Sequence, residues 1–457
     1  MGIGGKAAAV GAVAAVSLGA LGADAAQPAR PAARPAAQPQ QSQAQQKVTG
    51  PVAVYWMSAA TSTGFGAGMM GGGPGGGGQR PGAGAMMSAM MGGGMNPNQV
   101  NHDLTLQLGS SQRPTAAPEA EHLPPNGLGA GRSLPLVTPS PVREVREEPR
   151  EELPMQRPKG RMLIFWGCGE HAPAGQPFVI DFAKIGPNMP IPQMPQMVSV
   201  RSEQSPSVTR NTTYGDWPNN KTRTRVPAQG SLVGAHAVQG SYSPEILFNL
   251  NQNQDFMQPL QLSAGGKSPG GATLLSWRPV TGANGYFAMM FGGGSDGQTA
   301  VMWSSSQSQT MGGNIVDYLP PSEVRRLVTS KVVMSPDTTQ CIVPQEVTQQ
   351  APNGFIQMIA YGDEANFSDP PRPADPKVPW NINWTVKVRY KSTASAILGM
   401  DAMMGGRGGV AADDEDGGRP TRGAQNRGRP TREAAPPPRA PNPAGAILRG
   451  LGGGLLP

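Results

Sequence analysis

Apolar positions along this chain recur mostly with a period of two. In "HDLTLQLGSS", residues 102–111, Leu104, Leu106 and Leu108 alternate with polar neighbours, the signature of a strand with one buried face. "PVAVYWMSAAT", 51–61, is rich in the β-branched and aromatic residues that fit a pleated surface. From residue 161 such segments become dense: "RMLIFW", "PFVIDF", "QMVSVRS", "GSLVGAHAVQGSY", "EILFNL" and "PLQLS" are separated by Gly, Pro, Asn or Ser. No helical pattern of ten or more residues stands between them, which argues for sandwich architecture over βαβ units. "TAVMWSSSQ", "TQCIVP", "GFIQMIAYGDE" and "NWTVKVRYKST" continue the series. One short helix is expected in "PPSEVRRLVTS", with Ser322 as its N-cap after Pro321.

The intervening segments have the opposite character. The chain of 457 residues holds 63 Gly and 49 Pro, and these cluster. Low apolar content predicts disorder for the Ala/Pro/Gln linker 26–50, the Gly/Met-rich insertion 62–98, the Pro-rich insertion 112–160 and the Gly/Arg/Pro-rich tail 399–457. Mobility and protease sensitivity are expected above all for 62–98 and 401–457. Two units are expected to fold, 51–271 and 272–398.

The second unit carries a resemblance. "ATLLSWRPVTGANGYFAMMFGG" sets Leu274, Leu275, Ser276 and Trp277 before Pro279, then Gly282, Ala283, Gly285 and Tyr286. It resembles the second and third strands of fibronectin type III and related immunoglobulin-like modules. The resemblance implies an all-β fold of two such sandwich units, with Trp277 buried between two sheets and Tyr286 opening the neighbouring strand. Trp166 is a further expected core residue, in the apolar strand before Cys168. The interrupted arrangement also resembles exported proteins of proteobacteria, a likeness that carries no activity with it.

Compartment is read from the first 25 residues. Lys6 precedes an uncharged small-residue and apolar stretch, Ala7 to Ala23, closed by Ala23-Asp24-Ala25, so a cleaved secretory signal and an extracytoplasmic mature chain are expected. No second long apolar run is present, so no transmembrane segment is expected in the mature chain. The net charge is +7, but seven Arg against Glu433 from Gly417 onward leave +6 in the tail alone. A basic groove for nucleic acid on the folded part is therefore not expected, and weak contact of the Arg-rich tail with an anionic surface is.

Candidate chemistry is sparse. Cys168, Glu170 and His171 crowd into four positions around Gly167 and Gly169, yet a thiol nucleophile usually draws its base from a distant part of the chain. A tight turn after a strand is the expected reading. A hydrolase would need His171, His236 and Asp181 to converge. The four histidines, at 102, 122, 171 and 236, have no zinc-site spacing. Thioethers at Met86, Met87, Met90 and Met91, echoed at Met189, Met194 and Met197 and at Met400, Met403 and Met404, suit Cu(I) in an oxidising compartment. Trp217, Trp380 and Trp384 lie near loop signals and could stack on a polysaccharide, whereas Trp56, Trp277 and Trp303 belong to apolar strands. Cys168 and Cys341 are the two cysteines of the chain, and export would let them bond. Their Cα atoms must then come within about 7 Å. Two separately buried thiols satisfy the sequence equally well. The resulting expectation is an exported, non-enzymatic envelope protein with no cofactor, whose partner is an envelope protein or polysaccharide. A Met-rich copper-binding protein is the first alternative and an unrecognised hydrolase the second.

Overall fold

The computed structural model describes residues 50–64, 99–139, 160–184, 198–222, 224–310, 313–375 and 377–399. The expected signal and linker, the methionine clusters at 86–91, 189–197 and 400–404, and the Arg-rich tail lie outside these residues.

The first strands in chain order are β1 (Ala53–Gly64), β2 (Asn101–Ser110), β3 (Ala120–Leu123), β4 (Leu134–Pro135), β5 (Arg161–Trp166), β6 (Phe178–Asp181), β7 (Thr213–Trp217), β8 (Gly234–Gly240) and β9 (Ile246–Leu250). There follow β10 (Leu262–Lys267), β11 (Thr273–Trp277), β12 (Gly285–Gly293), β13 (Thr299–Ser304), β14 (Gln340–Val343), β15 (Phe355–Asp369) and β16 (Trp384–Ile397). Two short α-helices, α1 (Pro321–Thr329) and α2 (Gln345–Gln350), and three 3-10 turns are the other regular elements among the described residues. The all-β expectation is met at this level. Ser322 is not the cap of α1: the helix starts two residues earlier than that cap implies, with Pro320 in the cap position and Pro321 in the first turn. Proline is tolerated there because its missing N–H has no intrahelical partner.

These strands form three sheets. Nine are joined in the order β6-β5-β13-β12-β15-β16-β1-β2-β7, three in the order β10-β11-β14, and four in the order β4-β3-β8-β9. The pairing crosses position 272, where the second unit is expected to begin. Parallel pairing of β1 with β16 sets Ala53 beside Trp384, and parallel pairing of β5 with β13 sets Arg161 beside Thr299. Segments from both halves thus alternate within one sheet.

Period-two alternation assigns the faces. One face of the nine-stranded sheet carries Tyr55, Met57, Leu104, Leu106, Val386, Val388, Met358, Tyr286, Met290, Trp303 and Phe165, all in one continuous core. The four-stranded sheet covers it with Val238, Ile246, Phe248 and Leu250, and the three-stranded sheet with Leu275, Trp277, Cys341 and Val343. On the opposite face, α1 and its flanks pack Val324, Leu327 and Val333 over Phe287, Met289, Ile359 and Tyr361. A third cluster joins Met162, Ile164 and Ile180 at the β5–β6 edge. Trp277 and Tyr286 are buried, with ring centroids 5.5 Å apart. Trp166 is only half-buried, packed against the edge cluster.

Part of the expected insertion 112–160 belongs to the core. Residues 120–135 supply β3 and β4, and Leu128, Leu134 and Leu136 are buried. Single leucines between prolines and glycines carry no period, so a pattern of alternation passes over them; tertiary packing orders them.

Candidate functional site

The turn at 167–171 is held from three sides. Gly167, at φ +98°, takes a left-handed conformation that glycine accommodates without a Cβ clash. Its N–H bonds Ser304 O at 2.9 Å, and its carbonyl accepts the Trp303 indole N–H at 2.8 Å. Gly169 N–H reaches Ile342 O at 2.9 Å, and Gln345 N–H reaches Glu170 O at 3.0 Å, which lays the turn along β14 and the start of α2. Cys168 and Cys341 are joined there by a disulfide, with Cα atoms 5.2 Å apart. His171 points away, its Nδ1 3.0 Å from Glu346 Oε1, while Glu346 Oε2 accepts Ala172 N–H at 2.9 Å. The sulfur is engaged in a bond between sheets, so Cys168-Glu170-His171 has no free thiol.

The other sequence candidates have separate partners. His236 is buried in the four-stranded sheet and bonds His122 and Leu232. Asp181, in β6, pairs with Lys184 at 3.4 Å and accepts Ala183 N–H. Neither shares a partner with His171. Trp217 is 1% exposed and lies in the core, which removes it from any stacking platform; Trp384 is also buried. Trp380 is half-buried, with the Arg372 guanidinium 5.7 Å from its ring centroid. Among the described residues no group of three or more His, Cys, Asp or Glu side chains could hold a metal ion. Nor is any described helix long and apolar enough to cross a membrane.

Two polar clusters escaped the sequence reading. The first stands on the outer face of β16, β1 and β2. Alternation in "KVRYK" turns Val388 and Tyr390 inward and sets Lys387, Arg389 and Lys391 in a row outward. The Arg389 guanidinium lies 4.9 Å from the Trp56 ring centroid and 4.4 Å from that of Tyr318, and its Nε donates to Ser58 Oγ at 2.7 Å. Lys387 bonds Glu203 and, at 3.0 Å, Glu364. Lys391 lies 3.8 Å from Asp317 and 4.2 Å from the Tyr318 ring centroid. Burial pushes the Lys391 ammonium down to about 8, opposed by Asp317 and Asp103. Burial also raises Asp103, which accepts from Ser62 Oγ at 2.8 Å, and Glu364. Every cation in the row already has a carboxylate, a ring or a hydroxyl. The cluster is therefore a closed network that braces the Tyr318 loop to the sheet. Cations at i, i+2 and i+4 within a strand pattern are the signal that marks it.

The second cluster is a chain of rings between sheets. Tyr55 OH lies 2.9 Å from His122 Nδ1, His122 Nε2 lies 3.1 Å from His236 Nδ1, and His236 Nε2 lies 2.7 Å from Leu232 O. Phe248 stacks on His236 with centroids 4.9 Å apart. His122 sits in "EHLPPNG", within the Pro-rich segment, and nothing local there marks it as a core residue.

At the edge strand β7, Asp216 is buried and accepts a bond from Tyr214 OH at 3.2 Å. Burial pushes its carboxyl up to about 6, against the opposing effect of the Tyr214 bond. Between the unfolded value of 3.8 and about 6 the folded chain holds the extra proton, so this group's contribution to stability is lost as pH rises through that window. Asp216→Asn should therefore raise the melting temperature at about pH 7.5 and leave it nearly unchanged at about pH 4. A lower melting temperature at the higher pH would contradict this account.

No protein-family model, no curated protein and no solved structure matches the chain.

Proposed function

We propose that the chain is an exported, non-enzymatic protein that binds or braces a component of the cell envelope, either an envelope protein or a polysaccharide. The observation that carries this reading is the Cys168–Cys341 bond. Structural disulfides persist in oxidising spaces and are rare where glutathione and thioredoxin keep thiols reduced. The signal-like first 25 residues point to the same compartment.

Strand order supports an immunoglobulin-like module within residues 262–397. In that fold one sheet runs A-B-E and the other C-F-G, extended by C′ beside C in variable-type domains. Here β10-β11-β14 has the order A-B-E, and β13-β12-β15-β16 has the order C′-C-F-G. Trp277, at the end of the second of these strands, lies in the core between the two sheets. The remaining strands extend this module on both edges: β1, β2 and β7 lie beyond the last strand, under the four-stranded sheet, and β5 and β6 lie beyond C′. Such sandwiches serve mainly as rigid supports for recognition by loops and edges, and the fold itself names no ligand.

The test has two arms. Fractionation of the native cells should place the protein outside the cytoplasm, with peptides bearing Cys168 and Cys341 linked before reduction. The purified chain should then co-sediment with isolated envelope fragments. A cytoplasmic protein with both thiols free overturns the compartment, and a chain that stays in the supernatant overturns the binding role.

A further inference from the structure

We propose that the Tyr55–His122–His236 chain is an acid-sensitive latch that holds the four-stranded sheet to the nine-stranded one. Tyr55 belongs to β1 of the large sheet, whereas His122 on β3 and His236 on β8 belong to the small one. All three side chains are buried.

The geometry leaves one proton arrangement for the neutral state. A carbonyl oxygen only accepts, so His236 Nε2 carries the hydrogen that reaches Leu232 O. In a neutral ring Nδ1 is then bare and accepts from His122 Nε2–H. His122 Nδ1 is bare in turn and accepts from the Tyr55 hydroxyl. Each donor meets one acceptor along the chain.

An added proton has no place in this order. Put on His236 Nδ1, it reverses the direction of the chain: His122 then donates from Nδ1 to the phenol oxygen, and the Tyr55 hydrogen loses its acceptor. A second proton sets the two N–H groups of His122 and His236 head-on, on cations whose ring centroids are 5.1 Å apart. A buried charge without a partner is costly, and two facing each other more so.

Among the described residues the surroundings offer no free counter-charge. Phe248 of β9 covers His236, and Phe367 of β15 packs against Phe248. Asp255 is spent on Ser231 Oγ and Leu232 N–H, and Glu121, the neighbour of His122 on β3, is exposed to Ser133. Burial depresses both imidazoles, His122 also through the charge of His236, while the Leu232 bond partly offsets the effect on His236.

The sign follows. As pH falls through the ordinary imidazole value, the unfolded or opened chain takes up protons that the closed latch refuses, so closure weakens with acid. With two rings the opening equilibrium rises by up to about a hundredfold per pH unit.

Hydrogen exchange on the full chain, expressed as protection factors between about pH 7.5 and pH 5, reads this directly. Residues 120–123 and 234–240 should lose protection by more than tenfold, while 273–277 and 340–343 keep theirs. Tyr55→Phe removes the hydroxyl that would have to reverse and frees His122 Nδ1 for a proton in the closed state. The closed latch then refuses protons less, so the acid-dependent loss should shrink and its midpoint move to lower pH. Equal loss in both small sheets, undiminished protection at the lower pH, or an unshifted or higher midpoint in Tyr55→Phe would each overturn the proposal.

Discussion

Replacing both cysteines, Cys168→Ala with Cys341→Ala, lowers the stability of the chain by up to about 5 kcal/mol, or about 10 °C in melting temperature. The two residues are 173 positions apart, and an open loop of that length gives the unfolded chain freedom that the bond removes. The native geometry barely needs the bond. Four hydrogen bonds at Gly167, Gly169 and Glu170 already fix the turn against β13, β14 and α2. The double variant therefore keeps the fold and loses stability, and the loss appears in the unfolding rate or midpoint more than in the structure. Cys168 is exposed, so a mild reductant reaches the bond in the folded protein. Reduction of the parent chain should reproduce the variant's denaturation curve. Identical curves with and without reductant, after mass spectrometry has shown the bond present, would remove the disulfide from the account of stability.

Most of the strands were legible in the sequence as apolar segments, although "QMVSVRS" forms no strand over its described residues 198–202. "HDLTLQLGSS", "EILFNL" and "NWTVKVRYKST" fold as strands with the alternating apolar face inward, and the continuous apolar run "RMLIFW" folds as a strand buried on both faces. What no local pattern carries is the pairing. β1 meets β16 across more than 300 positions in a parallel register, a contact that neither segment announces. The same limit hid the site. Trp217 looked like a loop residue because Pro218 and two asparagines follow it, yet it ends a strand whose inward face is core. His122 lies among prolines, and its partners Tyr55 and His236 stand 67 and 114 positions away. Convergent side chains of this kind are set by topology, whereas the Lys387-Arg389-Lys391 row was present in the alternation itself. Cys168 falls between the two cases: its turn could be read from the flanking glycines, but its bond to Cys341 needed the approach of β14.

Arg389→Ala carries the second large effect, about 3 kcal/mol of destabilisation, from the loss of two desolvated ring contacts and one charge-assisted hydrogen bond. Arg389 is buried, and the guanidinium has no carboxylate partner within salt-bridge distance among the described residues. Its charge is met instead by the faces of Trp56 and Tyr318 and by Ser58 Oγ. Truncation removes the planar group between two rings and leaves Ser58 without this partner. Arg389→Lys separates charge from shape, because an ammonium is a point charge without the flat surface that stacks between rings. If stacking is what holds the Tyr318 loop to β16, the lysine variant recovers less than half of the loss. Arg389→Met tests the opposing term, the desolvation of the cation itself, which can exceed the attraction that a buried charge receives. Urea denaturation of the three variants decides between the terms. The order expected is parent, then Lys, then Met, then Ala, from most to least stable. A methionine variant more stable than the parent would mean that the buried charge weakens the fold, and that its retention has to be explained by what the outer face of β16 does.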